Sequence, residues 1–98
     1  MERTSVVVTG LGLVTPVGVG VAPFWRNLTD GISGIKPIRP YDAVLEPIKY
    51  AGEVDPAEFE PKRYLTRSKQ LKFLTRHAQF AMAAARMAVD DARISARR

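Results

Sequence analysis

The amino-acid sequence predicts an α/β fold, and three observations carry that reading. A short β-branched run without alternation, Val6-Val7-Val8-Thr9, stops at Gly10. A brief aromatic helix fits between Val21 and Asp30, and the last third is one long helical pattern lined with alanine. An unalternating run suits a strand covered on both faces, as in the sheet of an α/β fold. Alanine at helical spacing suits close approach to another backbone.

Taken in order, the strand is followed by a loop punctuated by Gly10, Gly12, Pro16, Gly18 and Gly20. Pro23 belongs in the first turn of a helix, Phe24, Trp25 and Leu28 follow at near-helical spacing, and Gly31 after Asp30 is a natural stop. Residues 21–30 are therefore expected to be helical with the aromatic side buried, Trp25 included. From Ile32 to Val54 the prolines 37, 40 and 47 predict a long irregular connection with one strand near Tyr50–Val54. Such a connection is unusual unless a larger body supports it. Asp55-Pro56-Ala57-Glu58-Phe59 combines an N-cap, a first-turn proline and a first-turn acid, which predicts a brief helical turn. Thr66 or Ser68 then caps a helix running to about Ala92. Leu71, Leu74, Ala78, Ala81, Ala85, Ala88 and Ala92 form one stripe along it. Alanines do not fill a core, so this helix is expected to lie deep in a larger structure. There are no internal repeats.

Composition sets the bounds. Ninety-eight residues suffice for one small domain with a modest core. Hydrophobic residues at 46% and charged residues at 26% argue against disorder. No stretch nears the roughly 20 apolar residues of a membrane span. The N-terminal Val run is too short for a secretory signal and no small-residue cleavage site follows it. The expected compartment is the cytoplasm, with no membrane partner. Zero cysteines exclude disulfides, thiolate metal sites and a cysteine nucleophile within the chain. The single histidine, His77, leaves little material for a histidine cluster, and it is expected to be a half-buried structural residue beside Phe73 and Phe80. No catalytic residue, cofactor or metal is assigned to the chain.

Val6-Val7-Val8-Thr9-Gly10-Leu11-Gly12 also invites a dinucleotide reading, which the residues do not support. The third glycine position holds Thr15, Pro16 follows, and the next helix starts several residues later, so no helix N-terminus is presented to a pyrophosphate. A buried strand with a tight glycine exit accounts for the run.

The net charge is +5, and six of the fifteen Lys and Arg lie between Lys62 and Arg76. Lys69, Lys72 and Arg76, at i, i+3 and i+7, share one helical face, and Lys62, Arg63 and Arg67 lead into it. A cluster of this kind favours an acidic partner. The bland alternative is a solvated face paired with Glu58 or Glu60, each exposed pair contributing roughly 0–1 kcal/mol. A nucleic-acid reading lacks a reader motif, and Phe73 and Phe80 fall on the helix body instead of a stacking platform.

The ordered series of short blocks resembles one family. Residues 6–12 are followed by Thr15-Pro16-Val17-Gly18, Phe24-Trp25 through Leu28, Gly31-Ile32-Ser33-Gly34-Ile35 and Tyr41-Asp42. Then come Ala51-Gly52-Glu53-Val54, Gln79-Phe80-Ala81, Ala83-Ala84-Ala85 and Asp90-Asp91-Ala92. In order and spacing this is similar to the opening of the β-ketoacyl-acyl-carrier-protein synthases, nearest the discrete bacterial elongating enzymes of fatty-acid and polyketide pathways. The resemblance implies that residues 1–98 are an incomplete N-terminal segment of a thiolase-like layered α/β fold made of two duplicated halves. It implies a homodimeric enzyme that condenses an acyl thioester with malonyl-carrier protein by decarboxylation, using a cysteine and two histidines. None of these is present here, because the family places them later and His77 matches none of its motifs. The implied partners are the acidic acyl-carrier protein, docking at the basic segment, and the remainder of the synthase or a companion chain. The isolated chain is expected to be inactive.

Overall fold

Thr15 organises the first described element. In this computed structural model, which describes residues 3–38, 47–65 and 73–94, the strands β1 (Val14–Thr15) and β2 (Gly18–Val19) pair antiparallel around Pro16-Val17. The Thr15 hydroxyl accepts from the Val17 and Gly18 amides at 3.2 and 3.0 Å and donates to the Gly18 carbonyl at 2.8 Å. A side chain that bonds locally in this way suits a turn.

Helix α1 (Val21–Thr29) follows, with Pro23 inside its first turn. It ends where Gly31 turns into the left-handed region at φ 72°. There the Gly31 amide donates to the Leu28 carbonyl at 3.2 Å and the Ile32 amide to the Asn27 carbonyl at 2.9 Å. Those two bonds satisfy carbonyls that a helix end leaves open. Asn27 ties the helix to the turn before it, its side-chain amide donating to the Val17 carbonyl at 2.7 Å. The expected burial of the aromatic side holds only in part. Phe24 is half-buried, while Trp25 is 62% exposed because no described element lies over that face.

The connection that follows contains a pair of strands. β3 (Ile35–Pro37) pairs antiparallel with β4 (Tyr50–Gly52), with Ile35 opposite Gly52 and Pro37 opposite Tyr50. The expected strand near residue 50 is present, and its partner lies in the stretch read as irregular. Pro37 ends β3, a position where the missing donor costs no ladder bond. The Asp55–Phe59 turn forms as expected. The Asp55 carboxylate accepts from the Ala57 amide at 2.9 Å, and its carbonyl accepts from the Glu58 and Phe59 amides at 3.0 and 3.1 Å. A 3₁₀ turn over Pro61–Arg63 comes next, with Glu60 accepting from the Lys62 amide at 3.4 Å.

Helix α2 spans Arg76–Asp91, later in starting than expected, and Thr75 is its cap, accepting from the Ala78 amide at 3.1 Å. Thr66, Ser68 and Leu71 lie outside the described residues. The alanine seam is also rotated. Ala83 is fully buried and Ala84, Met87, Ala88 and Ala92 are half-buried, whereas Ala81 and Ala85 face solvent. The extended segment that carries Gly10 and Gly12 runs over the Ala84–Ala88 side, and this contact fixes the covered face.

The buried strand expected at Val6–Thr9 is not formed. The segment belongs to no described strand, and Val6, Val7 and Val8 are 91%, 74% and 76% exposed. A strand covered on both faces needs flanking strands and packed layers, and no described residue supplies them. The remaining core is small: Phe59, Leu65 and Ala83 are the buried hydrophobic residues among those described. The chain exposes 8353 Å², against about 5,500 Å² for a compact protein of this mass. Its radius of gyration of 16.9 Å likewise exceeds the ~13 Å of a compact hundred-residue domain.

Candidate functional site

Three aromatic rings join the two described ends of the basic segment. Phe59, at the end of the Asp55 turn, packs edge-on against Phe80 of α2 with centroids 5.1 Å apart and stacks against Tyr64 at 6.0 Å. Leu65 is buried alongside, 7% exposed. This cluster fastens the 3₁₀ turn bearing Lys62 and Arg63 to the first turn of α2 bearing Arg76. Phe59 and Tyr64 were not singled out from the sequence. Their only signal was the apolar pair Tyr64-Leu65 after a proline turn, which does not name a partner.

Arg76 is the first residue of α2. A cation there opposes the helix macrodipole by roughly 0.3–1 kcal/mol. The guanidinium instead lies over two rings, 5.2 Å from the Phe59 centroid and 4.8 Å from that of Phe80. Two such contacts, about 0.5–1 kcal/mol each at an exposed site, outweigh the dipole cost and fix the side chain. No acidic residue occupies the first turn of α2. The positive end of the helix and Arg76 therefore present one sign of charge.

Of the six residues expected to form the docking face, Lys62, Arg63 and Arg76 are described and exposed. Among the described residues none of the three makes an ion pair, and the alternative pairing with Glu58 or Glu60 is not seen. Glu60 is engaged with the Lys62 amide instead. Arg67, Lys69 and Lys72 lie outside the described residues. His77, expected to be half-buried, is exposed and makes no hydrogen bond among them, because it stands in the first turn of α2, ahead of the Ala84–Ala92 stretch that Gly10 and Gly12 cover. Beside Arg76 opens a concavity of about 980 Å³ lined by Val14, Pro16, Val54, Pro56, Ala57 and Phe80, among others. Its wall is mainly apolar. Among the described residues no group of three or more His, Cys, Asp or Glu side chains is placed to hold a metal ion. No helix there is long and apolar enough to cross a membrane.

Comparison with known proteins fits this geometry. The β-ketoacyl synthase N-terminal domain family matches residues 3–98. The chain is 37% identical to 3-oxoacyl-[acyl-carrier-protein] synthase 2 of Synechocystis over 96% of its length and 22% of the relative's. It is 42% identical to the Coxiella burnetii protein of the same name over 93% of its length and 21% of that relative's. Among solved structures, the ishigamide ketosynthase/chain length factor superposes with a TM-score of 0.79 at 39% identity. That match covers 91% of this chain and 21% of the other. The chain thus spans about a fifth of the length of the relatives it matches. The valine run left bare at residues 6–9, the mixed helices and paired strands, and a family match that runs almost end to end agree with one another. This chain belongs to the β-ketoacyl synthase family, as N-terminal-domain sequence of its thiolase-like α/β fold.

Proposed function

We propose that the chain is the N-terminal segment of a β-ketoacyl-acyl-carrier-protein synthase of fatty-acid or polyketide synthesis, working in the cytoplasm. The observation that carries this is the family match over residues 3–98. In the complete enzyme a cysteine thiolate attacks an acyl thioester and expels the carrier thiol. Malonyl-carrier protein loses carbon dioxide, and the resulting carbanion attacks the bound acyl group and releases the thiolate. Donors that include two histidines hold the charge developing on the malonyl thioester oxygen. This chain has no cysteine and one histidine, so the remainder of the synthase or a companion chain supplies those groups, in a homodimer.

The role of the segment itself is to hold the scaffold and to present Lys62, Arg63 and Arg76, with Arg67, Lys69 and Lys72 in the same stretch, to an acidic acyl-carrier protein. The absence of ion pairs at the three described residues supports this second part. Long-range attraction of this sort speeds encounter more than it tightens the complex.

The test is to incubate the chain with acyl- and malonyl-carrier protein and to follow carbon dioxide and β-ketoacyl product, alone and with a companion polypeptide carrying the missing cysteine and histidines. The expected result is no turnover alone and condensation with the companion. Condensation by the isolated 98-residue chain would overturn the reading.

A further inference from the structure

We infer that the basic face is divided in function, with Arg76 the anchor that holds an acidic partner and Lys62 and Arg63 the charges that steer it. The inference rests on the docking reading above and adds which residue carries the bound complex. The three cations differ in what surrounds them. Lys62 and Arg63 project from a 3₁₀ turn three residues long and are exposed. Among the described residues no ring or carboxylate holds either one. The Arg76 guanidinium lies over two rings, 5.2 and 4.8 Å from their centroids, and the rings themselves meet at 5.1 Å.

A guanidinium held against rings by its charge keeps N–H donors with which to grip a carboxylate or phosphate. A side chain already held gives up little rotamer freedom on binding, whereas Lys62 and Arg63 must give up most of theirs. Arginine is among the residue types enriched in the few positions that carry most binding energy, and differences there are read mainly in dissociation. Loose exposed cations act on the association rate and on its salt dependence.

The neighbouring concavity defines what the partner offers. Phe80, Val14, Pro16, Val54 and Pro56 line it next to Arg76, and Glu53 and Asp55 stand on the same wall, so the partner's carboxylate is placed at Arg76 and only its apolar neighbour enters the recess. The matching feature is an acidic side chain flanked by an apolar one on a single helical face, the apolar residue entering the recess while the carboxylate meets Arg76. An acidic carrier protein presents this chemistry. A single-stranded nucleic acid has phosphate but no aliphatic side chain.

The experiment uses the full chain and purified apo-acyl-carrier protein, with association and dissociation measured at two salt concentrations. Arg76→Lys is expected to quicken dissociation about tenfold with little change in association. Lys62→Ala with Arg63→Ala is expected to slow association severalfold and flatten its salt dependence, leaving dissociation near that of the parent. Because Arg76 packs on Phe59 and Phe80, a folding-independent readout is added. In the unsubstituted chain the Nε–H resonance of Arg76, displaced by both rings, should shift as carrier protein is titrated in.

A carrier protein that binds normally while Arg76→Lys leaves dissociation unchanged, or while the Arg76 resonance stays fixed at saturation, overturns the anchor and spares the docking reading. A parent chain that binds no carrier protein, or binds a twenty-nucleotide single strand more tightly, overturns both.

Discussion

At Gly12 one hydrogen atom is all that fits between the N-terminal segment and α2. A Cβ there would stand 1.8 Å from the Ala84 carbonyl oxygen and 2.8 Å from the Met87 Cβ, and one at Gly10 would stand 2.2 Å from the Ala88 carbonyl oxygen. Backbone oxygens do not move aside as a side chain does. Between the two glycines the Leu11 amide donates to the Asp91 carboxylate at 3.0 Å. Asp91 closes α2, where a carboxylate opposes the macrodipole by roughly 0.3–1 kcal/mol, and the last turn contains no basic residue. A hydrogen bond to a charged acceptor contributes about 1.5–3 kcal/mol, reduced here by exposure, so the contact still prevails. Gly12→Ala should therefore lift the segment off the helix at a cost of about 1–3 kcal/mol. Asp91→Asn, which keeps an acceptor and relieves the dipole, should be close to neutral. Hydrogen exchange at the Leu11 amide checks both. Protection should vanish in Gly12→Ala and in Asp91→Ala and persist in Asp91→Asn, and protection surviving in Gly12→Ala would contradict the close approach.

The two helices end alike, but with different residues at the turning point. After α1 the left-handed position is Gly31, while after α2 it is Arg93 at φ 58°. The bonding is the same, with Arg93 donating to the Asp90 carbonyl at 3.1 Å and Ile94 to the Val89 carbonyl at 3.3 Å. A residue with a Cβ spends about 1 kcal/mol to stand there. Arg93→Gly should therefore stabilise α2 by up to about 1 kcal/mol. Thr75→Ala, which strips the N-cap, should cost about 1 kcal/mol and Thr75→Ser should recover it. Helicity at 222 nm in a urea titration reads both, and a destabilised Arg93→Gly chain would contradict the strain. These ends also show what the sequence discloses. α1 was legible because Pro23, Asp30 and Gly31 act within a turn of where they sit. The end of α2 was legible from the length of its pattern. Its start was not, because Thr66, Ser68 and Thr75 are equally good caps and nothing local chooses among them. β3 went unread because its pairing with β4 joins residues thirteen to seventeen apart, from Pro37 with Tyr50 to Ile35 with Gly52, across prolines that by themselves speak for loop. At the candidate site the cations were legible as a run of charge. Their aromatic frame, which joins Phe59 to Phe80 across twenty-one positions, was not.

Across the whole molecule the apolar residues outrun the surfaces available to cover them. Val6, Val7 and Val8 stand in solvent without a partner strand, and Trp25, Leu28 and Ile32 form an uncovered stripe along and beyond α1. The excess over a compact chain of this mass, 8353 Å² against about 5,500 Å², is roughly 2,900 Å². Water is a poor neighbour for such surface, at about 25 cal/mol per Å² of its apolar part, and an unpaired β-branched run invites pairing through its backbone groups. Held alone, the chain should find that cover in copies of itself. In sedimentation velocity at tens of micromolar its weight-average mass should exceed 10.8 kDa, and its thermal transition should be broad because the buried hydrophobic residues among those described, Phe59, Leu65 and Ala83, make too small a core for cooperative unfolding. The association should weaken when Val7→Lys puts a charge in the middle of the bare valine run. A monodisperse monomer with a sharp melt would mean that the surface is closed by the chain itself, and the uncovered valine run and stripe would then not be the form present in solution.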